Sequence, residues 1–128
     1  MEGEAIELAK HMKIFEHIKS FSLCLESAEV DDYVFACLQE IITNMTELKS
    51  LKLNCTKCMI SPEMFYEFSM KIADMQYLEN LEVVAKKMIW EPKKRDIVYE
   101  SFTGMTNIIQ KKIDLQVYRH VNISQKAN

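Results

Sequence analysis

The chain repeats itself every 30 residues, and no other feature narrows its possible folds as far. Met45-Thr46-Glu47-Leu48-Lys49-Ser50-Leu51 returns as Met75-Gln76-Tyr77-Leu78-Glu79-Asn80-Leu81 and then as Met105-Thr106-Asn107-Ile108; one step back lies Phe15-Glu16-His17-Ile18-Lys19-Ser20-Phe21. Other positions keep the same period. Eight columns are apolar almost throughout. The first unit gives Leu8, Met12, Phe15, Ile18, Phe21, Leu23, Leu25 and Val30; the second gives Leu38, Ile42, Met45, Leu48, Leu51, Leu53, Cys55 and Ile60. The third gives Phe68, Ile72, Met75, Leu78, Leu81, Val83, Ala85 and Trp90; the fourth gives Val98, Phe102, Met105, Ile108, Lys111, Ile113, Leu115 and His120. Only Lys111 and His120 interrupt the pattern, which is far from chance in a chain that is 48% hydrophobic. The two prolines, Pro62 and Pro92, share one phase as well.

Within a unit the spacing changes character. Leu38, Ile42 and Met45 lie four and three residues apart, the stripe of an amphipathic helix, whereas Leu51, Leu53 and Cys55 alternate like a strand with one buried face. Proline suits the first helical turn, where its missing N–H would go unpaired anyway, and Asp31 offers a side-chain cap at the equivalent place. Helices are therefore expected over residues 4–15, 32–44, 62–74 and 92–103. Strands that recur with one helix between them run parallel, and no unit can bury its own apolar face, so the units must stack. The expected fold is an α/β solenoid of about four 30-residue helix–strand units, with parallel strands on the concave face and helices on the convex face. It fills one domain over residues 1–120, with a polar C-terminal tail at 121–128.

Composition agrees with this and removes other classes. A chain of 128 residues suits one domain, and two glycines with two prolines are too few for a hairpin-rich β fold. Sixteen Lys and Arg against nineteen Asp and Glu leave a net charge of -3, without global attraction to nucleic acid or an anionic membrane, so neither is expected as a partner. Apolar runs are short, and Met1-Glu2-Gly3-Glu4 is acidic where a secretory signal is basic and then apolar. A soluble, cytoplasmic protein is expected. In that compartment Cys24, Cys37, Cys55 and Cys58 would be free thiols, and the glycosylation-type triplets at Asn44, Asn54 and Asn122 incidental.

The pattern Leu48-x-x-Leu51-x-Leu53-x-Cys55-x-x-Cys58-x-Ile60 resembles a leucine-rich repeat. Units of this length with full helices look like the ribonuclease-inhibitor-like class, which also forms sensor regions of cytosolic NOD-like receptors. The resemblance covers nearly the whole chain. It implies the solenoid and a protein partner. Cys58 stands where the family usually has Asn or Cys, but that column reads Ala28, Cys58, Met88, so the ladder of side chains joining neighbouring loops is mostly absent. The cysteine-rich flanking caps of extracellular members are absent too, in keeping with an intracellular setting.

Motifs with chemical potential have simpler explanations in the repeat. Cys55-Thr56-Lys57-Cys58 has the spacing of a metal knuckle or a redox pair, but no second such pair and no His pair at ligand spacing accompanies it. The register explains both cysteines as small interior residues. The run from Lys86 to Arg95 surrounds Trp90 with five basic residues, yet Trp90 shares the column of Val30 and Ile60 and is expected to be buried. Lys93 and Lys94 oppose the dipole at a helix start, a hint of an acidic partner. Met12, Met45, Met75 and Met105 fall in core columns as gap fillers. No nucleophile–base set, Gly-rich phosphate loop or paired carboxylates suggest catalysis. No enzyme activity, metal or cofactor is expected.

What remains is a surface. If Leu51, Leu53 and Cys55 point inward, their neighbours point out onto the concave sheet. The expected partner-binding residues are Ser22, Lys49, Ser50, Lys52, Asn54, Glu79, Asn80, Glu82, Val84 and Lys112. Within them one column runs Ser22, Lys52, Glu82, Lys112, whose charges are able to neutralise one another across strands. The expected function is protein–protein interaction through this sheet and its adjoining loops; the alternative is a structural subunit of a larger assembly.

Overall fold

Strand and helix alternate where the period puts them. The computed structural model describes residues 15–26 and 29–115. In chain order these form β1 (Ser20–Cys24), α1 (Asp32–Thr43), β2 (Ser50–Asn54), α2 (Pro62–Ala73), β3 (Asn80–Val84), α3 (Pro92–Thr103) and β4 (Gln110–Asp114). The three expected helices that fall here agree to within one residue. The helix expected over 4–15, apart from Phe15, and the tail at 121–128 lie outside the described residues.

The strands make one parallel sheet in the order β1-β2-β3-β4. Its register is the sequence period: Phe21 pairs with Leu51, Leu51 with Leu81 and Leu81 with Lys111. Backbone hydrogen bonds between neighbouring units extend the ladder past both strand ends. Glu79 N–H donates to Lys49 O at 2.9 Å before the strand, and Cys55 N–H donates to Val84 O at 2.7 Å after it.

Helix starts follow the local chemistry. The Asp31 carboxylate accepts from Val34 N–H and the Ser61 hydroxyl from Met64 N–H, both at 3.1 Å, pairing amide groups that the helix leaves without partners. Glu91 makes no such cap before α3. Pro62 and Pro92 open their helices.

The helices pack on one face of the sheet, and the core lies between. Leu51, Leu53, Leu81 and Val83 from the strands are buried together with Ile42, Phe68, Ile72, Val98 and Phe102 from the helices. Two corrections concern the helix columns. Leu38 is only partly buried, whereas Phe35 and Phe65, in a column not read as core, are completely buried. Their rings stack with centroids 4.9 Å apart, and Phe65 also meets the edge of Trp90 at 5.3 Å. One turn on, the same stripe carries Gln39 and Ser69, both buried. Gln39 donates to the Met64 sulfur, while its Oε1 has no partner, the only such buried side-chain atom among the described residues.

The strand-to-helix loops carry a different kind of signature. Lys57 and Lys87 adopt left-handed backbone conformations, with φ of 66° and 59°. For a residue with a Cβ this costs roughly 1–2 kcal/mol each.

Candidate functional site

Alternation gives the sheet two unlike faces. The inward side chains of β2 and β3 are buried, and the outward ones, Ser50, Lys52, Asn54, Asn80, Glu82 and Val84, are exposed or partly exposed. No described element covers the outward face. The ten residues expected to bind a partner all have solvent access: Ser22, Lys49, Lys52, Glu79 and Lys112 are exposed, and Ser50, Asn54, Asn80, Glu82 and Val84 are half-buried.

Register assembles eight of these ten into rows. Ser22, Lys52, Glu82 and Lys112 are successive partners across the four strands, with Ser50 and Asn80 in one flanking row and Asn54 and Val84 in the other. A groove of about 370 Å³ follows the first two rows, lined by Ser50, Lys52, Asn80, Glu82, Gln110 and Lys112 among others. Lys49 and Glu79 precede β2 and β3, at the helix-to-strand rim.

The expected charge ladder is present in position but not as contacts. No ion pair joins Lys52, Glu82 and Lys112 among the described residues. Solvated side chains on neighbouring strands gain little from closing such a contact. Pairs form at the margins instead. Lys86 reaches Asp114 at 3.5 Å, and at the other rim Glu47 takes Lys19 at 2.9 Å and His17 at 2.7 Å. The Lys19 hydrogen bond, helped by that from His17, holds the Glu47 carboxyl below the ordinary carboxylate range.

The thiols are separated by environment. Cys24 is exposed at the end of β1, Cys37 is half-buried, and Cys55 and Cys58 are buried. Burial, reinforced by the neighbouring Cys58 and Cys24, pushes the Cys55 thiol far above the usual range, which keeps it protonated and a poor nucleophile. Cys58 donates to Leu25 O at 3.1 Å, so this position of the Asn/Cys column does tie one loop to the preceding one. Among the described residues no group of three or more His, Cys, Asp or Glu is placed to hold a metal ion.

The basic run after β3 is dispersed by its contacts. Lys94 pairs with Glu63 at 3.0 Å and Arg95 with Asp96 at 3.3 Å. Trp90 is half-buried, and its indole N–H donates to Ile60 O at 2.8 Å. Sequence reasoning did not anticipate a second groove, of about 310 Å³, between α2 and α3, lined by Pro62, Glu63, Tyr66, Lys94, Ile97 and Val98. Its signal was readable: Lys94, Arg95 and Val98 stand where the preceding unit has Met64, Phe65 and Phe68, so α3 brings less apolar volume to the seam. No helix among the described residues is long and apolar enough to cross a membrane.

No protein-family model matches the chain, and a search of curated proteins finds no relative. Among solved structures it is similar to one described as Leiomodin-1 Actin-Binding Site 2, with a TM-score of 0.61 and 12% sequence identity, over 98% of this chain and 70% of that one. A likeness at that identity speaks to fold: a parallel sheet alternating with helices in a repeat-like α/β arrangement.

Proposed function

We propose that the chain is a non-catalytic protein-binding module, a short leucine-rich-repeat solenoid that meets its partner on the concave, outward face of the sheet. One observation carries this reading: the side chains of that face's central row are spent on nothing internal. Ser22, Lys52, Glu82 and Lys112 form a register-aligned polar row in solvent, over a groove, without ion pairs among themselves. A sheet that presents register-aligned rows of mixed charge favours electrostatic complementarity with another protein. The similar solved structure is described as an actin-binding site, which supports protein binding as the class of function. A reduced, cytoplasmic setting fits the free cysteines.

A second reading, a structural subunit of a larger assembly, is favoured by the seam between α2 and α3, where Tyr66 and Ile97 are exposed beside an apolar groove. Affinity purification of the tagged chain, followed by size analysis of what co-purifies, separates the two. A discrete complex with one partner is expected; recovery solely within a large particle would favour the subunit.

A further inference from the structure

Two consecutive strand-to-helix loops carry the same pair of groups. Lys57 and Lys87 occupy the left-handed region 30 residues apart, where glycine or asparagine would relieve the strain. Two residues beyond each lysine, Met59 is 77% exposed and Ile89 is fully exposed. Between them Cys58 and Met88 are buried, so each turn pins one side chain inside and holds a cation and an apolar group outside. Neither group serves the fold. The two lysines enter no ion pair among the described residues, and the two apolar side chains bury little. The equivalent of Met59 in the preceding loop is Glu29, so the arrangement is confined, among the described residues, to these two loops. Residues held in costly backbone conformations cluster at ligand clamps and other functional surfaces, and here the side chains they present outward add nothing to the packing.

We propose that this edge clasps a partner segment bearing acidic side chains beside apolar ones. Its carboxylates meet Lys57 and Lys87, and its apolar side chains cover Met59 and Ile89. Charge complementarity selects the occupant: the chain is acidic overall, at -3, but these loops are locally cationic. An anionic bilayer offers related chemistry, but two apolar side chains bury less hydrocarbon than one acyl chain, itself a marginal anchor. The proposal rests on the protein-binding reading and adds a second contact, on the loops that follow β2 and β3.

A phage-displayed random peptide library panned on the whole chain tests it, with affinities of the enriched peptides measured for four proteins. These are the wild type, Met59→Ser with Ile89→Ser, Lys57→Asn with Lys87→Asn, and Lys52→Glu with Glu82→Lys. Asparagine tolerates the left-handed conformation, and circular dichroism melts confirm that each variant folds. The expected result is enrichment of acidic peptides with apolar residues, bound at least about tenfold more weakly by both edge variants and unchanged by the sheet variant. Failure to enrich acidic peptides, or affinities unchanged in the edge variants, overturns the proposal. So does wild-type sedimentation with phosphatidylserine vesicles that the edge variants lose. Loss in the sheet variant alone would move the contact to the open face, sinking the edge while leaving the protein-binding reading intact.

Discussion

The second and third helices occupy the same place in successive units, yet they are built from different chemistry. Helix α2 starts on a Ser61 cap with Glu63 in its first turn and buries Phe65, Phe68 and Ile72. Helix α3 starts on Glu91 without a side-chain cap, carries Lys93, Lys94 and Arg95 against its dipole, and buries Val98 and Phe102. The strands that follow differ likewise. Leu81 in β3 is buried, and its register partner in β4 is Lys111, which folds back so that its ammonium donates to Thr103 O and Met105 O at the end of α3. A lysine is tolerated in a core column there because its charge finds the carbonyls that a helix end leaves unpaired. Interior units are thus specified by packing. The last described unit is held by packing on one side and polar contacts on the other.

The largest effects should expose that asymmetry. Phe65→Ala removes the ring that touches Phe35, Trp90 and Phe102, and should cost ~3–5 kcal/mol by chemical denaturation. Leu51→Ala or Leu81→Ala should cost ~2–5 kcal/mol, and Lys111→Ala only about 1 kcal/mol. Equal losses at Leu81 and Lys111 would break the comparison.

Helix starts sharpen it at smaller scale. Ser61→Ala should lose ~1 kcal/mol, whereas Glu91→Ser, which supplies the missing hydroxyl, should gain up to about 1 kcal/mol. A loss at position 91 would mean that Glu91 itself stabilises α3. Gln39→Leu is expected to be neutral or to raise stability by about 1 kcal/mol, because it removes a buried oxygen without a partner. A clear loss would assign structural value to its contact with Met64.

How much of this was legible follows from what repeats. Helix and strand positions, the parallel register and the outward rows were readable because period and alternation are properties of sequence. The column of Phe35 and Phe65 was not, since its fourth-unit member is Arg95 and the column of Leu38 competes for the same helical stripe. Gln39 and Ser69 are polar and fall outside the eight apolar columns, and their burial depends on the packing of neighbouring helices. The left-handed Lys57 and Lys87 left no compositional trace, because glycine, the residue that advertises such turns, is absent from both loops.

The smallest effect lies at the rim of the sheet. Glu47 has a folded-state pKa below its ordinary value, so its contribution to stability is present above the unfolded pKa and is lost as pH falls through the folded one. Glu47→Gln should therefore flatten the acid side of the stability profile, with a small loss at neutral pH that disappears as the pH falls and the two proteins converge. A steeper acid loss in the variant would contradict that assignment.

The central claim is that the outward face of the sheet serves binding and not folding, and the combined Lys52→Glu, Glu82→Lys variant tests it most directly. These exposed charges should matter little to the fold, with a change in stability under about 0.5 kcal/mol. Quantitative recovery of the co-purifying partner by wild type and variant, with melting temperatures measured on the same preparations, reads both terms. The account predicts at least about tenfold weaker partner binding at an unchanged melting temperature. Full recovery by the folded variant would contradict it.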